Sequence, residues 1–117
     1  KMTAIQEKVE ISHQIAEGLD IQCHCSEATA KITLGGRLDT LSAPKLMEFL
    51  DTLSEKTPFN QIIFDLKTLE YLSSTGLRVF LMMAKRLGSE HLLVDNENAL
   101  VREIFETTGF TDVVVVR

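Results

Sequence analysis

The sequence predicts an α/β domain, a mixed sheet of four to five strands covered by helices, with an extra helix at the N-terminus. Three observations predict it. Residues 20–26 alternate Ile21, Cys23 and Cys25 against Gln22, His24 and Ser26, the period-two mark of a half-buried strand. Three later segments place apolar residues three and four apart, as helices do. Between them lie short apolar runs, and strands separated by helices of about 10–15 residues pair in parallel through right-handed crossovers.

The elements follow in order. Residues 3–18 carry Ile5, Val9, Ser12, Ile15 and Ala16 at spacings near three and four, with Gly18 at the end. An amphipathic helix is expected there, although a strand over residues 9–15 fits the same side chains. Residues 1–19 are thus read as a helical extension and residues 20–117 as the domain. A break at Glu27-Ala28 leads to a second strand, residues 29–34, with Ala30, Ile32 and Leu34 on one face; the two strands make a hairpin. Gly35-Gly36 ends that strand, Arg37-Leu38-Asp39 is a loop, and Ser42-Ala43-Pro44 opens a helix with Ser at its cap. Leu46, Met47, Leu50 and Leu53 form its stripe, and Thr57-Pro58 stops it.

Residues 61–66 (QIIFDL) are nearly all apolar, which predicts a strand covered on both faces. Residues 67–72 connect to a helix over 75–87, apolar nearly all round and therefore buried, closed by Gly88. A strand at 91–94 follows, then a helix capped by Asn96 or Asn98 and ended by Gly109. The last strand is residues 113–116, all valine. After the N-terminal helix the order is β-β-α-β-α-β-α-β.

The 117 residues hold 12 Lys and Arg against 17 Asp and Glu, a net charge of −5. That balance excludes a nucleic-acid backbone or an anionic membrane as the main partner. No run approaches the ~20 apolar residues of a membrane span, and no basic region followed by an apolar one marks a signal peptide. Two cysteines two residues apart are too few and too close for a disulfide framework, so a reducing, cytoplasmic setting is expected.

Catalytic constellations are scarce. Within Cys23-His24-Cys25 the histidine points away from both thiols on a strand, so one zinc ion does not collect all three, and the thiols read as core. Gly35-Gly36 lacks the framework of a phosphate-binding loop. Glu48, Asp51 and Glu55 read as a solvated helix face. No metal, cofactor or enzymatic activity is expected. One segment stands apart, Tyr71-Leu72-Ser73-Ser74-Thr75-Gly76-Leu77-Arg78. It sets three hydroxyls in a row at a loop-to-helix junction, followed by glycine. A helix cap needs one hydroxyl; three beside an accessible backbone also suit a phosphorylated serine, whose charge the helix start tolerates. The chemistry alone leaves both readings open.

This segment resembles the signature of the STAS domain, the fold of bacterial anti-sigma factor antagonists, in which an aromatic-aliphatic pair precedes Asp-Ser-Ser/Thr-Gly-Leu at a helix start. Gly36-Arg37-Leu38-Asp39 is similar to the family's Gly-x-Leu-Asp loop, with Ala43-Pro44 opening the next helix. Ile62-Ile63-Phe64-Asp65-Leu66 resembles its apolar strand ending in Asp-Leu, and Gly109-Phe110 resembles the pair after its last helix. The similarity spans about residues 20–117. It implies a regulatory switch, in which the unmodified protein binds a kinase-type anti-sigma factor and frees a sigma factor. Phosphorylation by that serine kinase breaks the complex, and a serine phosphatase restores it. Carried across, the phosphoacceptor falls on Ser74. Ser73 stands where the family usually has Asp, which makes Ser73 the alternative acceptor. Asp39, Ser73, Thr75, Gly76 and Arg78 are expected to form the loop and partner surface around it. The family also includes unphosphorylated docking or ligand-binding modules of signalling and anion-transport assemblies, the alternative role.

Overall fold

The computed structural model describes residues 9–16, 18–96, 98–110 and 115–116. Six strands and three helices alternate as β1 (Val9–Ala16), β2 (Leu19–Ser26), β3 (Thr29–Leu38), α1 (Ala43–Lys56), β4 (Gln61–Leu72), α2 (Ser74–Leu87), β5 (Leu92–Asp95), α3 (Ala99–Thr108) and β6 (Val115–Val116). They form one sheet in sequential order, antiparallel from β1 to β3 and parallel from β3 to β6.

The helix expected over residues 3–18 is corrected to a strand over Val9–Ala16; residues 3–8 lie outside the described residues. Val9, Ile11 and His13 alternate as well as Val9, Ser12 and Ala16 step by three and four, so local periodicity does not choose. Pairing does, because β1 lies antiparallel to β2 from Val9↔Cys25 to Ala16↔Leu19, with an irregularity between Gln14 and Ala16. Among the described residues the sheet therefore has six strands instead of four to five, and residues 9–16 of the expected extension belong to it.

In sequential order, right-handed crossovers place all three helices on one face. The burial of β4 accordingly alternates, Ile62, Phe64 and Leu66 buried and Gln61, Ile63 and Asp65 half-buried. This corrects the expectation of a strand covered on both faces. Phe64 packs on Phe80 of α2 with ring centres 4.7 Å apart, and Phe80 meets Phe105 of α3 at 6.4 Å. Helix α2 is one-sided too: Val79, Phe80, Met83 and Ala84 are buried, while Met82 is exposed. Residues 89–91 form a 3-10 turn, so the strand expected at 91–94 begins one residue later.

Two extensions of the expected strands set up the functional corner. Strand β3 runs through Gly35-Gly36 to Leu38, and β4 runs through the expected connection to Leu72. They stay paired to Leu38↔Leu72, with irregularities on either side of the glycine pair. Gly36 has φ +89, and a Cβ there would lie 2.1 Å from the Gly18 carbonyl oxygen, which accepts from the Arg37 amide at 2.8 Å. The glycines let the strand bend past the β1–β2 turn instead of ending it.

Candidate functional site

The ends of β3 and β4 bring two segments to one corner of the sheet, residues 39–42 before α1 and residues 73–76 at the start of α2. The Ser73 amide donates to the Leu38 carbonyl at 2.9 Å, tying the segments together.

At the start of α2, Ser73 is the cap. Its backbone is extended (φ −88, ψ 170), and its Oγ accepts from the Gly76 amide at 3.0 Å. Ser and Asp fill this position about equally well, which explains how serine stands where the family usually has aspartate. Gly76 is buried against β3. A Cβ on it would meet the Leu38 carbonyl oxygen at 2.7 Å, Leu38 Cγ at 2.8 Å and Leu72 Cδ1 at 3.0 Å. Ser74, the first helical residue, is exposed, and within the described residues its hydroxyl makes no hydrogen bond. Thr75 is half-buried and Arg78 exposed one turn on. Of the two neighbouring serines, Ser73 caps the helix, and the Ser74 hydroxyl is the one that makes no hydrogen bond among the described residues.

The start of α1 is closed by its own side chains. Asp39 Oδ1 accepts from the amides of Leu41 and Ser42, each at 3.0 Å. The Ser42 hydroxyl accepts from the Asp39 amide at 2.9 Å, with the Arg37 carbonyl (2.9 Å) and Asp39 Oδ1 (3.1 Å) as acceptors for its proton. Ser42, expected as the cap, makes no side-chain bond of that kind and is held inside the turn. The Ser42 amide, above all, holds the Asp39 carboxyl below the usual carboxylate range, helped by the Ser42 hydroxyl, the Leu41 amide and nearby Arg37. Arg37 Nε lies 3.7 Å from Asp39 Oδ2, and its guanidinium carbon sits 4.3 Å from the centre of the Tyr71 ring. Beside it Leu41 is 83% exposed.

Asp39, Ser73, Ser74, Thr75 and Gly76 are therefore gathered at one corner, with Arg78 on the adjoining helix face. The sequence reading missed the Arg37–Tyr71 stack and exposed Leu41. Arg37 and Tyr71 lie within the two motifs and Leu41 two residues after Asp39, but the stack depends on the cross-strand register Arg37↔Tyr71.

Ser74 touches no base within the described residues, so the corner presents a hydroxyl without activating it. No group of three or more His, Cys, Asp or Glu able to hold a metal occurs among those residues. Cys23 and Cys25 are buried with sulfurs 3.7 Å apart, and burial, first of all, pushes the Cys23 thiol up to about 12. They are neutral core groups. Asp51 of the acidic α1 face binds Arg86 of α2 at 2.6 Å. No helix among the described residues is long and apolar enough to cross a membrane.

Comparison with known proteins agrees with this architecture. A family model described as "Mlab, STAS domain" matches residues 21–116. The anti-sigma-B factor antagonist of Bacillus subtilis (strain 168) is 31% identical over 99 residues, 82% of this chain and 88% of that protein. An anti-sigma factor antagonist from Mycobacterium paratuberculosis superposes with a TM-score of 0.73 at 19% identity, covering 89% of both chains. The Bacillus cell fate determinant SpoIIAA in its phosphorylated form superposes at 0.65 and 19% identity, over 83% of this chain and 90% of that one. A family match over most of the chain, on a fold shared with anti-sigma factor antagonists, leads to one conclusion: this chain belongs to the STAS-domain family.

Proposed function

We propose that this protein is an anti-sigma factor antagonist that switches partners through phosphorylation of Ser74. Unmodified, it docks a kinase-type anti-sigma factor on the corner formed by residues 39–42 and the first turns of α2, and so releases a sigma factor. The kinase then transfers phosphate. Ser74 Oγ bonds to the γ-phosphorus of ATP, the bond to the bridging oxygen breaks, ADP leaves and the hydroxyl proton passes to a base on the kinase. A serine phosphatase reverses this by hydrolysis. The protein acts in the cytoplasm as a regulator and not as an enzyme.

The observation that carries this reading is the exposed Ser74 hydroxyl, without a hydrogen bond among the described residues, beside a Ser73 hydroxyl committed to the cap. Named relatives that antagonise an anti-sigma factor, and a fold neighbour known in phosphorylated form, support it. A dianion at the centre of a docking face adds desolvation cost and repels acidic groups of the partner.

The test is incubation of the purified chain with ATP and the kinase-type anti-sigma factor of its own genome, followed by intact-mass measurement and a binding assay. One phosphate is expected on wild type and on Ser73→Ala, none on Ser74→Ala, and Ser74→Asp should bind at least about tenfold more weakly, about 1.4 kcal/mol. An unmodified Ser74 together with wild-type binding by Ser74→Asp would sink the switch and leave a constitutive docking module.

A further inference from the structure

Helix α2 carries three cations, Arg78, Lys85 and Arg86, and no carboxylate, in a protein whose net charge is −5. Arg86 is engaged by Asp51, and Arg37 at the same corner is engaged by Asp39 and Tyr71. Arg78 is different: it is exposed, and within the described residues it has no hydrogen bond or ion pair. It stands four residues after Ser74. Residues at that spacing are neighbours on a helix surface, and a long helical side chain leans back over the preceding turn. That spacing puts the guanidinium within reach of the turn that Ser74 begins. Asp39 is the carboxylate of this corner, and its oxygens are occupied by the residue 39–42 turn and Arg37.

We propose that Arg78 is the receptor for the phosphate on Ser74, closing an i,i+4 ion pair along α2 once that serine is modified. This rests on the reading of Ser74 as the modified residue, and it changes what the modification does. Before it, the pair offers a docking partner one cation. Afterwards the guanidinium fork is turned onto phosphate oxygens, and the charge of the pair moves from +1 to roughly −0.5 to −1. The partner loses an attraction as well as meeting an anion.

The test installs phosphoserine at position 74 of the whole chain during synthesis, so that no kinase is needed. The second ionisation of the phosphate is then followed by phosphorus NMR against pH at about 50 mM salt, where surface pairs are weakly screened. Phosphate in the otherwise wild-type chain should ionise with a constant at least about twofold larger than in Arg78→Gln, a difference of about 0.3 pH unit. The positive end of the helix acts in both and cancels. Lys85→Gln, at the far end of α2, should leave the value unchanged, and Arg78→Lys should keep part of the effect. Unphosphorylated Arg78→Gln should melt with wild type, because among the described residues Arg78 has no partner to lose. Equal phosphate titrations in wild type and Arg78→Gln would overturn the proposal. Because the phosphate is installed, that result is separate from failure of a kinase to modify Ser74, which would overturn the functional reading instead.

Discussion

Helices α1 and α2 start side by side at the ends of neighbouring parallel strands, yet their first turns are built differently. At α1, the Asp39 carboxylate and the Ser42 hydroxyl satisfy the turn amides and each other. At α2, Ser73 makes one capping bond and the next hydroxyl is left over. The difference teaches which start is scaffold and which is surface. A saturated turn holds its shape and has no group to spare, whereas a turn capped by one of two adjacent serines can have the other modified without losing its cap.

The comparison breaks most severely at Gly76, which lets α2 sit against β3. Gly76→Ala should cost roughly 1–3 kcal/mol in denaturant unfolding, because the added methyl meets the Leu38 backbone, which cannot rotate away. Wild-type stability would mean that the helix start can shift freely. Next come the two serines. Ser73→Ala should lose about 1 kcal/mol, while Ser74→Ala should stay within about 0.5 kcal/mol, as uncommitted surface positions do. Equal losses would erase the distinction between cap and spare hydroxyl.

The α1 start is sharpened by acid. The folded Asp39 carboxyl ionises below its unfolded range, so its contribution is complete above about pH 4 and is lost as pH falls through the lower folded value. Asp39→Asn, which does not titrate, should flatten that part of the stability–pH curve between about pH 2 and 5, measured by thermal melts. A curve that overlays wild type would show that the turn is not held by charge. The smallest effect lies away from both helix starts, in the β2–β3 turn. Glu27 and Ala28 there have φ of 52 and 63, a region costly for side chains other than glycine or asparagine. Ala28→Gly should gain less than about 1 kcal/mol; a loss of stability would mean that the turn is unstrained.

Much of the site is legible along the chain. Ser73-Ser74-Thr75-Gly76 is contiguous, and a serine followed by a helical apolar pattern marks a start wherever it occurs. What the one-dimensional pattern hides is the division of labour. Ser42 has the look of a cap, yet its hydroxyl is drawn into the turn by Asp39 three residues earlier. Gly35-Gly36 has the look of a strand end, yet β4 continues the pairing beyond it.

The sequence by itself determined the parallel half of the fold, because alternating helical and strand periods with right-handed crossovers admit few arrangements. It also determined which hydroxyls stand at the start of α2. Tertiary structure alone decided that Val9–Ala16 is a strand and that Leu38 and Leu72 end together. It also decided that Gly76 rests on β3 while Ser74 faces outward. The reason is physical: local periodicity records which side chains can share a face, and only pairing and packing select the face that is covered.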